Sequence, residues 1–117
     1  EPVGFEDQAR SLAAGERVSN PKTSGSICDA LLSPTPGVIT FAVNRARGSS
    51  AVAASDEEAL AAMAFAAIEH KLVVEPGGAV ALAALLERRG DVAGRTVVVV
   101  LSGGNVDPAL VARALGV

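Results

Sequence analysis

The chain has 117 residues, half of them hydrophobic, and a formal net charge of −3, a composition suited to one folded domain rather than a disordered segment. No basic run is present to follow a phosphate backbone, which argues against nucleic-acid binding, and no apolar stretch approaches the roughly 20 residues that span a bilayer. The one cysteine, Cys28, precludes an internal disulfide and suits a reducing cytoplasm.

Residues 5–14 read as a short helix stopped by Gly15, the usual residue for a left-handed C-terminal cap. Residues 16–37 are rich in Ser, Pro, Thr and Gly, and long irregular stretches of this kind inside domains are often functional. Residues 38–44 are ambiguous: the β-branched content says strand, whereas Pro36-Gly37 could equally start a helix. Ser55 and Glu58 form a capping box, in which the hydroxyl accepts from the backbone and the carboxylate reaches back. Leu60, Met63, Ala64, Ala67 and Ile68 then share one helical face. The acidic cluster Asp56-Glu57-Glu58 is explained by the helix dipole and needs no ligand.

Pro76 suits the first turn of the next helix, where its missing N–H would be unpaired anyway. That helix is expected to run to about Arg89, with Leu82, Leu85 and Leu86 inward and Gly90 as its stop. Residues 96–101 are a continuous apolar run, the pattern of a central strand covered on both faces by helices. Asp107-Pro108 opens a last helix that closes at Gly116. Helix, buried strand, glycine loop and helix together indicate an α/β layer architecture.

The loop Ser102-Gly103-Gly104-Asn105 is the most informative element. Ligands of open α/β folds collect at the carboxyl ends of strands, and two glycines let the backbone approach a flat or charged ligand. On spacing alone the same residues also make an ordinary strand-to-helix turn. His70, the sole histidine, lies near a helix end and suits contact with carbonyls; Cys28 suits a buried thiol packed as a small hydrophobe.

Four segments share a resemblance. Residues 97–107, with Leu101-Ser102-Gly103-Gly104-Asn105 at their centre, look like the last strand and loop of the threonine dehydratase and serine racemase family, which are fold type II pyridoxal-phosphate enzymes. Lys71-Leu72-Val73-Val74-Glu75-Pro76-Gly77-Gly78 is similar to the family's K-L-(V/I)-(V/I)-E-P-x-(G/A) segment. Glu1-Pro2 with Phe5 and Asp7, and Ser26-Ile27-Cys28-Asp29-Ala30 with Pro36-Gly37, resemble two further family stretches. The matches keep the family's order and span the chain.

The resemblance implies residues 1–117 to be the C-terminal part of the large, pyridoxal-phosphate-binding domain, with helices packed on a mainly parallel sheet. Ser102 would meet the pyridine nitrogen, Gly103 would allow close approach to the ring, and Glu75 and Ala30 would lie beside it. Glu75 otherwise has a plain structural use at a helix N-terminus. Where many relatives have glycine after the Asp, this chain has Ala30, which leaves the approach of that backbone open. Glu1, the Phe5 carbonyl and Asp7 match a structural divalent-cation site, and oxygen ligands suit magnesium or calcium; the same acidic residues are also ordinary at a solvated helix start.

Enzymes of this kind need a lysine for the Schiff base. The two lysines here, Lys22 and Lys71, do not stand in the family's S-(F/Y)-K-x-R-G-A context, so no catalytic residue is assigned. The opening on Glu1-Pro2 without methionine reads as a piece of a longer protein, and the chain alone is expected to be inactive. The implied activity of the intact protein is dehydration of threonine or serine to a 2-oxo acid and ammonia, in a cytoplasmic, homo-oligomeric parent. Alternatives are a racemase or hydroxyectoine-pathway dehydratase on the same scaffold, or a small non-enzymatic α/β domain binding a ligand through the Ser102 loop.

Overall fold

Helices form where the local stop and start signals place them. The computed structural model describes residues 1–87 and 92–117, and within them α1 is Asp7–Ala14, α2 is Val38–Ala46, α3 is Asp56–His70, α4 is Pro76–Leu86 and α5 is Pro108–Leu115. Helix α1 begins two residues later than its pattern suggests and ends on Gly15 in the left-handed conformation. The ambiguous stretch after Gly37 is helical, with Phe41 as its buried contact and Val38 and Ile39 outward. The capping box closes the start of α3: the Ser55 hydroxyl accepts from the Glu58 N–H at 3.2 Å, and the Ser55 N–H donates to the Glu58 carboxylate at 2.7 Å. Lys71 ends α3 in the left-handed region at φ 59°, with the Leu72 N–H bonded back to Ala66. Asp107 caps α5, accepting from the Ala109 N–H at 2.8 Å.

The core is a cluster shared by α3 and α4, with Ala59, Ala62, Met63 and Ala66 on one helix and Ala79, Val80, Leu82 and Ala83 on the other. Small residues let the two helices approach closely, so shape rather than bulk carries the packing. The expected inward face of α3 is therefore displaced: Met63 is buried, Leu60, Ala64 and Ala67 are half-buried, and Ile68 is 55 % exposed. Three alanines outside the expected set take the inward positions because α4 comes close enough to need them small. On α4, Leu82 is buried, Leu85 half-buried and Leu86 exposed. The expected end of that helix, Arg89 and Gly90, lies outside the described residues.

The expected central strand differs most. Among the described residues the only bridge is a single parallel one between Pro2 and Ala54, and residues 96–101 run without a strand partner. Their side chains nevertheless alternate as a strand's do: Val99 and Leu101 pack on the helical core, while Val98 and Val100 are 86 % and 71 % exposed. One face is covered by helices; the other is open.

Residues 16–37 are fixed by reaching back to α1. The Ser11 hydroxyl accepts from the Val18 N–H at 2.8 Å, and the Arg17 Nε donates to the Pro36 carbonyl at 2.6 Å. Asn20 is the hub: its amide donates to Asp7 at 2.8 Å and to the Ser33 carbonyl at 2.9 Å, and its Oδ1 accepts from Arg10. A short 3₁₀ turn at Asp29–Leu31 leans on α4.

Candidate functional site

The first turn of α4 gathers three of the four segments that carry the resemblance. Pro76 occupies its first position, and Glu75 precedes it in an extended conformation without capping α4 through its side chain. That carboxylate packs on the loop after residue 101: a β-carbon placed on Gly103 would stand within 2.6 Å of both Glu75 carboxylate oxygens. Gly103 also has φ +78°, where an L side chain is strained, so the backbone requires glycine, whereas the Glu75 carboxylate is the end of a flexible side chain that can swing aside. The Glu75 N–H donates to the Gly103 carbonyl at 3.0 Å. A β-carbon on Gly78 would overlap the Ser102 carbonyl oxygen and stand 2.8 Å from its carbon. Next along, a β-carbon on Gly104 would lie 3.2 Å from the Val73 carbonyl oxygen.

Ser102 itself is exposed, and its hydroxyl makes no hydrogen bond among the described residues. Ala30, also exposed, rests its Cβ against the first turn of α4, and its N–H donates to the Asp29 carboxylate at 2.8 Å. Ser102, Gly103, Glu75 and Ala30 thus surround one helix start. This arrangement is compatible with a flat aromatic cofactor: an exposed serine, a residue without a β-carbon and a carboxylate stand together at that helix start, where the backbone leaves room.

Glu1, Phe5 and Asp7 cluster about the start of α1. Glu1 caps α1 from a distance, its carboxylate accepting from the Gln8 N–H at 2.7 Å and the Ala9 N–H at 2.9 Å. Asp7 is buried against Asn20, and Phe5 is buried beneath the Lys22 ammonium, 5.1 Å from the ring centre. Glu1 and Asp7 open on a cleft of about 480 Å³ that also touches Ala30, Pro36 and Val80. No cluster of three or more His, Cys, Asp or Glu suited to a metal occurs among the described residues.

The two lysines are engaged away from the Ser102 loop. Lys22 sits over Phe5, and Lys71 donates to the Ile68 carbonyl at the end of α3. His70 packs edge-on against Phe65. Cys28 is fully buried. Burial pushes its thiol above the usual range, an effect that a hydrogen bond with Ser26 partly offsets and the Asp56 charge reinforces.

Gly78 is the residue that sequence patterns passed over. Its signal was present: two glycines inside a helix start cost helix propensity, and a tolerated helical glycine points to close packing.

The family described as "Pyridoxal-phosphate dependent enzyme" matches residues 1–103. The L-threonine ammonia-lyase of Geobacter sulfurreducens is 43 % identical over 83 % of this chain and 24 % of that protein. The serine racemase of Dictyostelium discoideum is 32 % identical over 98 % of this chain and 36 % of that protein. Among solved structures, a threonine deaminase from T.th. superposes with a TM-score of 0.83 at 36 % identity, covering 92 % of this chain and 39 % of that one. The chain spans about a quarter to two-fifths of the length of these relatives.

Proposed function

Because the chain belongs to the pyridoxal-phosphate dependent enzyme family and shares the α/β fold of its fold type II members, we propose that it forms the wall of an ammonia-lyase site that meets the cofactor's pyridine edge. The substrate of the intact protein is a β-hydroxy amino acid of the threonine or serine kind, converted to a 2-oxo acid and ammonia. The carrying observation is the convergence of Ser102, Gly103 and Glu75 at the start of α4. Residues 1–117 act here as the C-terminal segment of the large domain. The reacting lysine then comes from outside them, since Lys22 and Lys71 are engaged elsewhere.

When bound, pyridoxal phosphate draws electrons from an attached amino acid and makes its α-proton acidic. Ser102 would hold the pyridine nitrogen through its hydroxyl and, being neutral, would leave the cofactor a weaker electron sink than a carboxylate would. Gly103 gives the ring a flat surface, and Glu75 keeps that surface in place from behind. Ala30 borders the site from the 3₁₀ turn.

The test is Ser102→Ala in the intact holoprotein. Loss of one hydrogen bond should weaken cofactor binding about tenfold and lower 2-oxo acid formation from threonine. Unchanged affinity, absorbance and turnover would remove Ser102 from the site. A second reading, racemisation of a β-hydroxy amino acid, draws on the serine racemase likeness across 98 % of the chain, which does not outweigh the ammonia-lyase likeness. Chiral analysis of recovered substrate separates the two.

Within the same reading, Glu1, the Phe5 carbonyl and Asp7 would hold a structural magnesium or calcium ion that takes no part in the chemistry. The remaining lone pairs of the two carboxylates serve it. A rise in melting temperature with magnesium or calcium, lost in Asp7→Asn, supports this; no rise refutes it. No helix among the described residues is long and apolar enough to cross a membrane. The reading places a homo-oligomeric parent in the cytoplasm.

A further inference from the structure

We infer that Gly78 is a positioning residue for Ser102, setting where its hydroxyl stands by giving its carbonyl a seat on α4. Three consecutive loop residues have three seats. Ser102 rests on Gly78, the Gly103 carbonyl accepts from the Glu75 N–H at 3.0 Å, and Gly104 lies against the Val73 carbonyl. The middle seat is a hydrogen bond that many residues could supply through their backbone. The first is different, because only a residue without a β-carbon leaves room for the carbonyl. Val74 closes the same space from the side, its Cγ1 standing 3.0 Å from where a Gly78 β-carbon would lie.

The obstructing atom is main chain, so no side-chain rotation relieves the clash. Restoring ordinary carbon–oxygen contact requires the Ser102 peptide to move by more than about 1 Å. A displacement of that size at a reacting centre costs on the order of 100-fold in rate. The neighbouring glycine provides the contrast. A β-carbon on Gly77 would meet Leu31 Cγ at 3.4 Å and Ala30 Cβ at 3.5 Å, ordinary contacts on another side of the helix.

This inference rests on the assignment of Ser102 to the pyridine nitrogen, and the experiment separates the two. The intact holoprotein is prepared with ring-¹⁵N pyridoxal phosphate, and the nitrogen resonance is recorded for wild type, Ser102→Ala, Gly78→Ala and Gly77→Ala. Gly78→Ala should shift the resonance in the direction of Ser102→Ala and at least half as far, while Gly77→Ala leaves it in place. If Ser102→Ala does not move the resonance, the assignment of Ser102 fails, and this inference with it. If Ser102→Ala moves it and Gly78→Ala does not, only the positioning role of Gly78 fails. Should Gly78→Ala not fold, amide exchange in the wild-type holoprotein decides. Protection of the Glu75 N–H shows that the loop is seated beside Gly78, and fast exchange there, which means the Ser102 carbonyl has no fixed place on α4, overturns the inference.

Discussion

Up to Ala54 the chain is fastened by polar side chains that reach the backbone of distant residues, whereas from Ser55 onward it is fastened by small apolar residues pressed together. Glu1 holds the start of α1, Asn20 ties Asp7 to Ser33, and Arg17 grips Pro36. In the other region α3 and α4 meet through Ala59, Ala62, Ala66, Ala79 and Ala83. The first kind of fastening tolerates irregular backbone because each partner is chosen individually. The second needs regular helices and fails when volume is wrong. The candidate cofactor wall draws on both: Ala30 comes from the polar region, Glu75 and Ser102 from the packed one.

Three measurements sharpen that contrast. Ala66→Leu forces a larger side chain into the α3–α4 cluster, where Ala66 is fully buried, and should cost about 3 kcal/mol in urea unfolding. A near-neutral result would mean that the seam has slack. Asn20→Ala strips buried Asp7 of its side-chain donor and leaves the Ser33 carbonyl unserved; about 2 kcal/mol is expected. If it costs no more than an ordinary surface change, the polar region is held by something else.

The smallest effect is at Cys28, which lies between the regions. Its thiol is raised in the folded protein, so the folded state keeps the proton to higher pH than the unfolded chain does. This contribution to stability is full below about pH 8.5, the ordinary thiol value. It is lost as pH rises from there through the higher folded value. The urea midpoint should therefore fall with alkaline pH more steeply in wild type than in Cys28→Ala. Parallel curves would show that the thiol does not report the junction.

The packed region was the more legible in sequence, and the reason is physical. Capping box, Pro76, Asp107 and Gly116 act on residues within one turn, so their spacing is their meaning. The inward face of α3 was read less well, because alanines become core only when a neighbouring helix comes close. In the polar region the pairing of Asp7 with Asn20 spans 13 residues and that of Ser26 with Asp56 spans 30. No local pattern encodes such partners. The strand at residues 96–101 was legible as a run but not as a sheet, since a ladder depends on residues elsewhere. Of the candidate site, Ser102, Gly103, Glu75 and Ala30 came from family motifs; their common helix start is a matter of geometry.

The outward Val98 and Val100 have a consequence for how the newly made chain behaves. Thr96-Val97-Val98-Val99-Val100-Leu101 is a six-residue run without charge or proline, rich in β-branched side chains, the composition that stacks readily into intermolecular sheets. Its charged neighbours in sequence are Arg95, directly before it, and Asp107 beyond the glycine loop, so the run carries a charge at one end only and none within it. Yield on expression is then limited by how long that face stays open rather than by the stability of the helical core.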